Sequence, residues 1–160
     1  NTDYRVGLES DAYDVVWVFD GWDKLRLEQA GVEVTTIPFI EHTDCIPDWY
    51  TPLIAAADDL IDGDPELVAA FLVATSRGYD AAIADPDAAA DALLAAAPEL
   101  DEELVRASAA YLATQFAADA PRWGEQTLDV WQQFVDFLAE EDLLRTELDV
   151  STLFTNDFLP

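Results

Sequence analysis

The sequence predicts an α/β chain, a short parallel β-α-β unit followed by a predominantly helical part. Two observations predict it. In DVVWVFDGWD (14–23), five apolar residues, Val15 to Phe19, run straight into Asp-Gly-Trp-Asp, the pattern of a core strand stopping at a turn. From residue 64 onward, apolar residues recur at helical spacing behind Asp-Pro starts.

Taken in order, 14–19 is the first expected strand. WDKLRLEQAG (22–31) is a short helix closed by Gly31, a residue suited to the left-handed turn after a helix. VEVTTIPF (32–39) alternates and is the next expected strand, with Pro38 at its end. A right-handed, parallel crossover follows from that order. Residues 40–50 form an irregular connection, and TPLIAA (51–56) is a further short strand. Helices then begin near 65, 86, 101 and 127. Asp64, Asp85 and Asp101 are their N-caps, and Pro65 and Pro86 stand at the first helical position. The helix faces carry Leu67, Phe71, Leu104, Val105, Trp131, Phe134 and Leu138. The tail LDVSTLFTNDFLP has no long period and is expected to wrap over a neighbouring surface. A lone β-α-β unit leaves both edges open, so strands from another chain or an absent segment are expected to complete it.

Charge narrows the function classes. The 160 residues hold 34 acidic and 7 basic residues, a formal net charge of -27, with Lys24 the one lysine. Such a surface repels nucleic acid and anionic membrane. The acids are dispersed rather than blocked, which is the composition expected of a halophilic archaeal protein working in screening salt. Cys45 is the single cysteine, so no internal disulfide forms, and it is expected as a small core side chain. His42 and Cys45 alone cannot build a zinc site. There is no glycine-rich phosphate loop, no signal peptide and no apolar run of membrane-spanning length. The chain also lacks an initiator methionine, which points to a processed protein or a piece of a longer one.

The order YDVVWVFDGWD, IPDWYTPLIAAADDL, DPELVAAFLVATSRGYDAAIADPDAAADALL, DAPRWGEQTLDVWQQFVDFL and LFTNDFLP resembles the solute-binding subunit of ABC importers. Within that superfamily it is similar to the C-terminal half of the NMT1/THI5-like group, which binds thiamine-precursor pyrimidines of the hydroxymethylpyrimidine or formylaminopyrimidine type. The resemblance implies a partial periplasmic-binding-protein type II-like fold. Residues 1–47 would be part of a second lobe, 48–57 a hinge and crossing strand, and 58–160 the helical part of the first lobe. It also implies an extracytoplasmic protein without cofactor or catalysis, membrane-anchored through an absent N-terminal part. Its partners would be a small pyrimidine or related heterocycle, the ABC transporter membrane subunits and the missing N-terminal half, and no nucleic acid. Two alternatives stand beside it: a pyrimidine-synthase-like enzyme of thiamine biosynthesis, and a fragment with no ligand site of its own. Eukaryotic relatives with that synthase activity carry a cysteine-rich motif, which this chain lacks.

Ligand contacts are expected from Asp20, Trp22, Asp23, Trp49 and Tyr50. Asp20 at the strand mouth can accept from an exocyclic amine. Its structural reading is a cap on the following helix, and Asp23 falls in that helix's first turn. Trp22 and Trp49 can stack on a flat ring, or pack in a core. Tyr50 adjoins the expected hinge. Arg122 and Trp123 in APRWGEQ are expected to pair with a carboxylate and to fill a gap between helices.

Overall fold

The computed structural model describes residues 4–118, 120 and 122–160. Its elements in chain order are α1 (Tyr4–Glu9), a single π-turn (Asp20–Lys24), α2 (Leu25–Gln29), a 3-10 turn (Phe39–Glu41), α3 (Asp58–Gly63), α4 (Pro65–Ala84), α5 (Pro86–Ala96), α6 (Glu102–Ala113), α7 (Leu128–Glu140) and a second 3-10 turn (Val150–Thr152). Among the described residues there is no strand. The α/β class, the parallel β-α-β unit and the partial type II binding-protein fold are therefore corrected to an all-helical chain with extended connections.

The physical reason lies in the expected strands themselves. Residues 15–19 and 32–38 carry no regular element, and no ladder joins them. Val15, Trp17 and Phe19 are 84%, 67% and 59% exposed, so 15–19 is not the core strand its composition predicts. Parallel strands hold together when both faces are covered and neighbours flank them. Here each run keeps one face in solvent. Residues 51–57 likewise carry no regular element and are exposed.

The longer helices form where their capping residues predict. The Asp85 carboxylate accepts from Ala88 N at 3.0 Å, and Asp101 accepts from Leu104 N at 2.8 Å. Asp64 accepts from Leu67 N at 3.1 Å at the start of α4. Thr127, not marked as a cap by the sequence, closes the start of α7 on Val130 N. Gly31 takes φ 75°, and Gly31 N and Val32 N return to Glu28 O and Leu27 O, ending α2 as its glycine predicts. α4 has the length and apolarity to cross a bilayer, 20 residues with mean hydropathy 1.3, on composition alone; the sequence reading found no such run.

The chain divides into two compact units. The first comprises Asn1–Thr36 and Gly78–Ala118. Its core is Leu27, Ala90, Leu104 and Val105, where α2 and α5 meet α6. Gly21 is buried under α6: a Cβ there would stand 2.7 Å from Leu112 Cδ2, so glycine is what lets the π-turn approach. Arg106 on α6 reaches Asp91 on α5 at 2.7 Å and Glu102 at 2.9 Å. These bonds, Asp91 first, hold its guanidinium pKa above the ordinary value. Tyr79 and Phe116 meet edge to face, 4.8 Å between centroids.

The second unit comprises Ile37–Arg77 and Asp119–Pro160. Val135 of α7 and Val150 are its buried apolar residues. The tail is tied down as expected, by a reciprocal amide pair: Gln126 N donates to Asn156 Oδ1 (3.0 Å), and Asn156 Nδ2 donates to Gln126 O (2.7 Å). Cys45 is exposed, contrary to its expected core place. Arg122 lies 4.0 Å from Glu125, and Trp123 is half-buried. Asp119 and Pro121 of the same motif lie outside the described residues.

Candidate functional site

The five candidate residues fall into two groups. Asp20, Trp22 and Asp23 belong to the first unit, and Trp49 and Tyr50 to the second. Asp20 opens the π-turn and is half-buried, as are Trp22 and Asp23. Asp23 turns back on its own chain, accepting from Phe19 N at 3.0 Å. Phe19 O in turn receives the N–H groups of Trp22, Asp23 and Lys24. The sequence reading offered Asp20 as the cap; it is Asp23 that satisfies the free N–H at this entry. Tyr4 closes over the same corner. Burial, then the Asp23 carboxylate, pushes its phenol pKa up, and the Arg26 guanidinium sits 5.7 Å over its ring. The result is a braced turn.

Trp49 and Tyr50 stand among aromatic residues of α7 and the tail. Trp49 stacks on Phe134 (5.5 Å, 20° between planes) and meets Phe39 at 6.0 Å. Tyr50 meets Trp131 at 6.2 Å, and Trp131 stacks on Phe154 at 6.0 Å and 9°. Two small apolar cavities open here. Trp49, Tyr50, Leu53, Val130, Trp131 and Phe134 line one of about 120 Å³. Phe39, Ile40, Ile46, Asp48, Trp49 and Thr51 line another of about 160 Å³. Both are smaller than the few hundred Å³ usual for a small-molecule site.

The polar groups at this rim are engaged. Tyr50 Oη accepts from Thr127 N at 2.9 Å, and Trp131 Nε1 donates to Gln126 Oε1 at 2.7 Å. The linings are mainly apolar and aromatic, with Asp48 and Thr51 at the larger cavity. Among the described residues no group of three His, Cys, Asp or Glu is placed to hold a metal ion. Leu53, Val130, Trp131 and Phe134 were not among the expected site residues. The i, i+3 spacing of Trp131 and Phe134 was visible in the sequence, and it reads equally well as a core-facing stripe.

The model of the family described as NMT1/THI5 like matches residues 1–89. The chain is also 31% identical over 116 residues to "Riboflavin-binding protein RibY" of Chloroflexus aurantiacus. That alignment covers 67% of this chain and 32% of the other, so the chain spans about a third of the length of this curated relative. The more specific resemblance is corrected. The family match is partial, and the described residues hold helices and no sheet, which is not the architecture of the C-terminal half of a solute-binding subunit. The reading as the importer's solute-binding component for a thiamine-precursor pyrimidine goes with it, since no sheet core is present to build that site.

Proposed function

This chain belongs to the NMT1/THI5 like family, and from that premise we propose that it works as a non-catalytic docking part, a helical scaffold presenting extended apolar runs to a partner polypeptide. The observation behind this reading is exposure. Val15, Trp17 and Phe19 stand 84%, 67% and 59% open within five residues. Single exposed apolar residues are ordinary, but a contiguous row of large ones marks an interaction surface. Burying three such side chains is worth roughly 4–6 kcal/mol in transfer terms, before the costs of association. Length supports the same reading: the Chloroflexus relative is about three times as long as the matched stretch. The proposed partner is therefore polypeptide of the kind that lies outside that stretch. The test mixes this chain, in molar salt, with the portion of the Chloroflexus protein outside the match. A one-to-one complex on size exclusion supports docking; two separate species at all concentrations overturn it.

A second reading is favoured by the aromatic walls around Trp49, Tyr50 and Trp131 in the second unit. The Chloroflexus protein is named for binding riboflavin, a planar ring system of the kind aromatic walls accept. Titration with riboflavin, followed by tryptophan fluorescence, tests it. Saturable quenching that Trp131→Ala abolishes supports ring binding; linear quenching in both proteins rejects it.

A further inference from the structure

On the ring-binding reading above, we propose that the larger cavity of the second unit receives the edge of the bound ring, the Asp48 carboxylate accepting a ring N–H and the Thr51 hydroxyl donating to a carbonyl beside it. The ligand class is then a flat heterocycle whose edge carries an imide or lactam group, N–H next to C=O. One stretch of chain builds this cavity. In FIEHTDCIPDWYT (39–51), apolar residues bracket a polar middle. The 3-10 turn at Phe39–Glu41 and the bonds from Cys45 N and Ile46 N to His42 O (2.9 and 3.1 Å) fold the stretch on itself. Phe39, Ile40, Ile46 and Trp49 thereby line one cavity of about 160 Å³. Trp49 is braced by its stack on Phe134 of α7. It lines the neighbouring aromatic cavity as well, so a ring seated on those walls has the larger cavity at its edge.

The polar groups decide what that edge must be. At the aromatic cavity, the Tyr50 hydroxyl and the Trp131 indole N–H are already engaged. The larger cavity differs. Asp48 Oδ1 accepts from Trp49 N at 2.9 Å, which orients the carboxylate. Asp48 Oδ2 and the Thr51 hydroxyl have no protein partner among the described residues. A carboxylate only accepts, whereas a hydroxyl also donates. The two on one lining therefore answer an N–H and an adjoining C=O. The bond to a carboxylate is charge-assisted and is the stronger of the pair. A ring lacking the N–H loses it, which makes Asp48 the residue that discriminates among flat ligands of equal stacking area. The volume, below that of a whole small-molecule site, suits one end of a ring system.

Riboflavin carries such an imide edge, and methylation of that nitrogen removes the N–H while leaving the ring flat. Isothermal titration of riboflavin and of this methyl derivative in molar salt, against the parent, Asp48→Ala and Thr51→Val, tests the assignment. The parent is expected to bind riboflavin at least tenfold more tightly than the methyl derivative. Asp48→Ala is expected to bind the two alike. Thr51→Val is expected to bind riboflavin severalfold more weakly and to keep the preference; unchanged affinity overturns the part given to Thr51. Saturable but equal binding of both ligands to the parent overturns the edge contact while ring binding stands, and this comparison needs no variant to fold. A preference that persists in Asp48→Ala overturns the part given to Asp48. No saturable binding of either ligand overturns both the contact and the ring-binding reading.

Discussion

Asp101 shows how much one side chain decides in this chain. Its carboxylate takes the Leu104 N–H at 2.8 Å and lets α6 begin beside the buried Leu104 and Val105. Asp101→Ala is expected to cost about 1 kcal/mol, seen as a lower melting temperature, with Asp101→Asn nearly neutral. Equal melting of all three proteins would contradict the cap. Asp149 plays the same part at the second 3-10 turn, accepting from Ser151 Oγ at 2.6 Å and Ser151 N at 3.1 Å. Those bonds, the hydroxyl first, hold its pKa below the usual carboxylate value. Its contribution is present above the unfolded value and is lost as pH falls through the lower folded one. In an NMR titration Ser151→Ala is expected to move the Asp149 midpoint upward, towards the ordinary value. An unmoved midpoint would reject Ser151 as the cause.

Among the elements, α7 carries the aromatic cluster of the second unit. Trp131 meets Tyr50, stacks on Phe154 and gives its indole N–H to Gln126. Trp131→Ala is expected to destabilise by about 2–3 kcal/mol, less than a fully buried tryptophan because Trp131 is half-buried. A change under half of that in chemical denaturation would show that the aromatic cluster is loose. The helices were legible in the sequence because their signals are local: an aspartate cap, a proline at the first position and a 3.6-residue apolar period lie within one segment. The strands were not, because a strand needs a neighbour that its own residues do not encode. VVWVF has strand composition, yet no strand forms among the described residues. The candidate site was legible as residue types only. Asp20 and Asp23 sit three apart, and the sequence could not say which would turn back on Phe19. The row of Trp17 and Phe19 was read as core, since apolar composition alone does not distinguish a buried face from a largely exposed one.

At the scale of the whole molecule, charge and exposed apolar surface act together. A net charge of -27 on 160 residues repels itself, and molar salt shortens the screening length to about 3 Å from about 10 Å at 0.1 M. Dialysis from molar to about 0.1 M salt is expected to unfold the chain cooperatively, visible in circular dichroism. A melt unchanged across that range would contradict the part assigned to the dispersed acids. The central claim, that the runs 15–18 and 32–36 are not joined as strands among the described residues, is tested most directly by hydrogen exchange on the chain alone in molar salt. The account predicts slow exchange in α5 and α6 and fast exchange throughout 15–18 and 32–36. Amides in both runs as slow as those of α6 would mean an internal sheet and would contradict it.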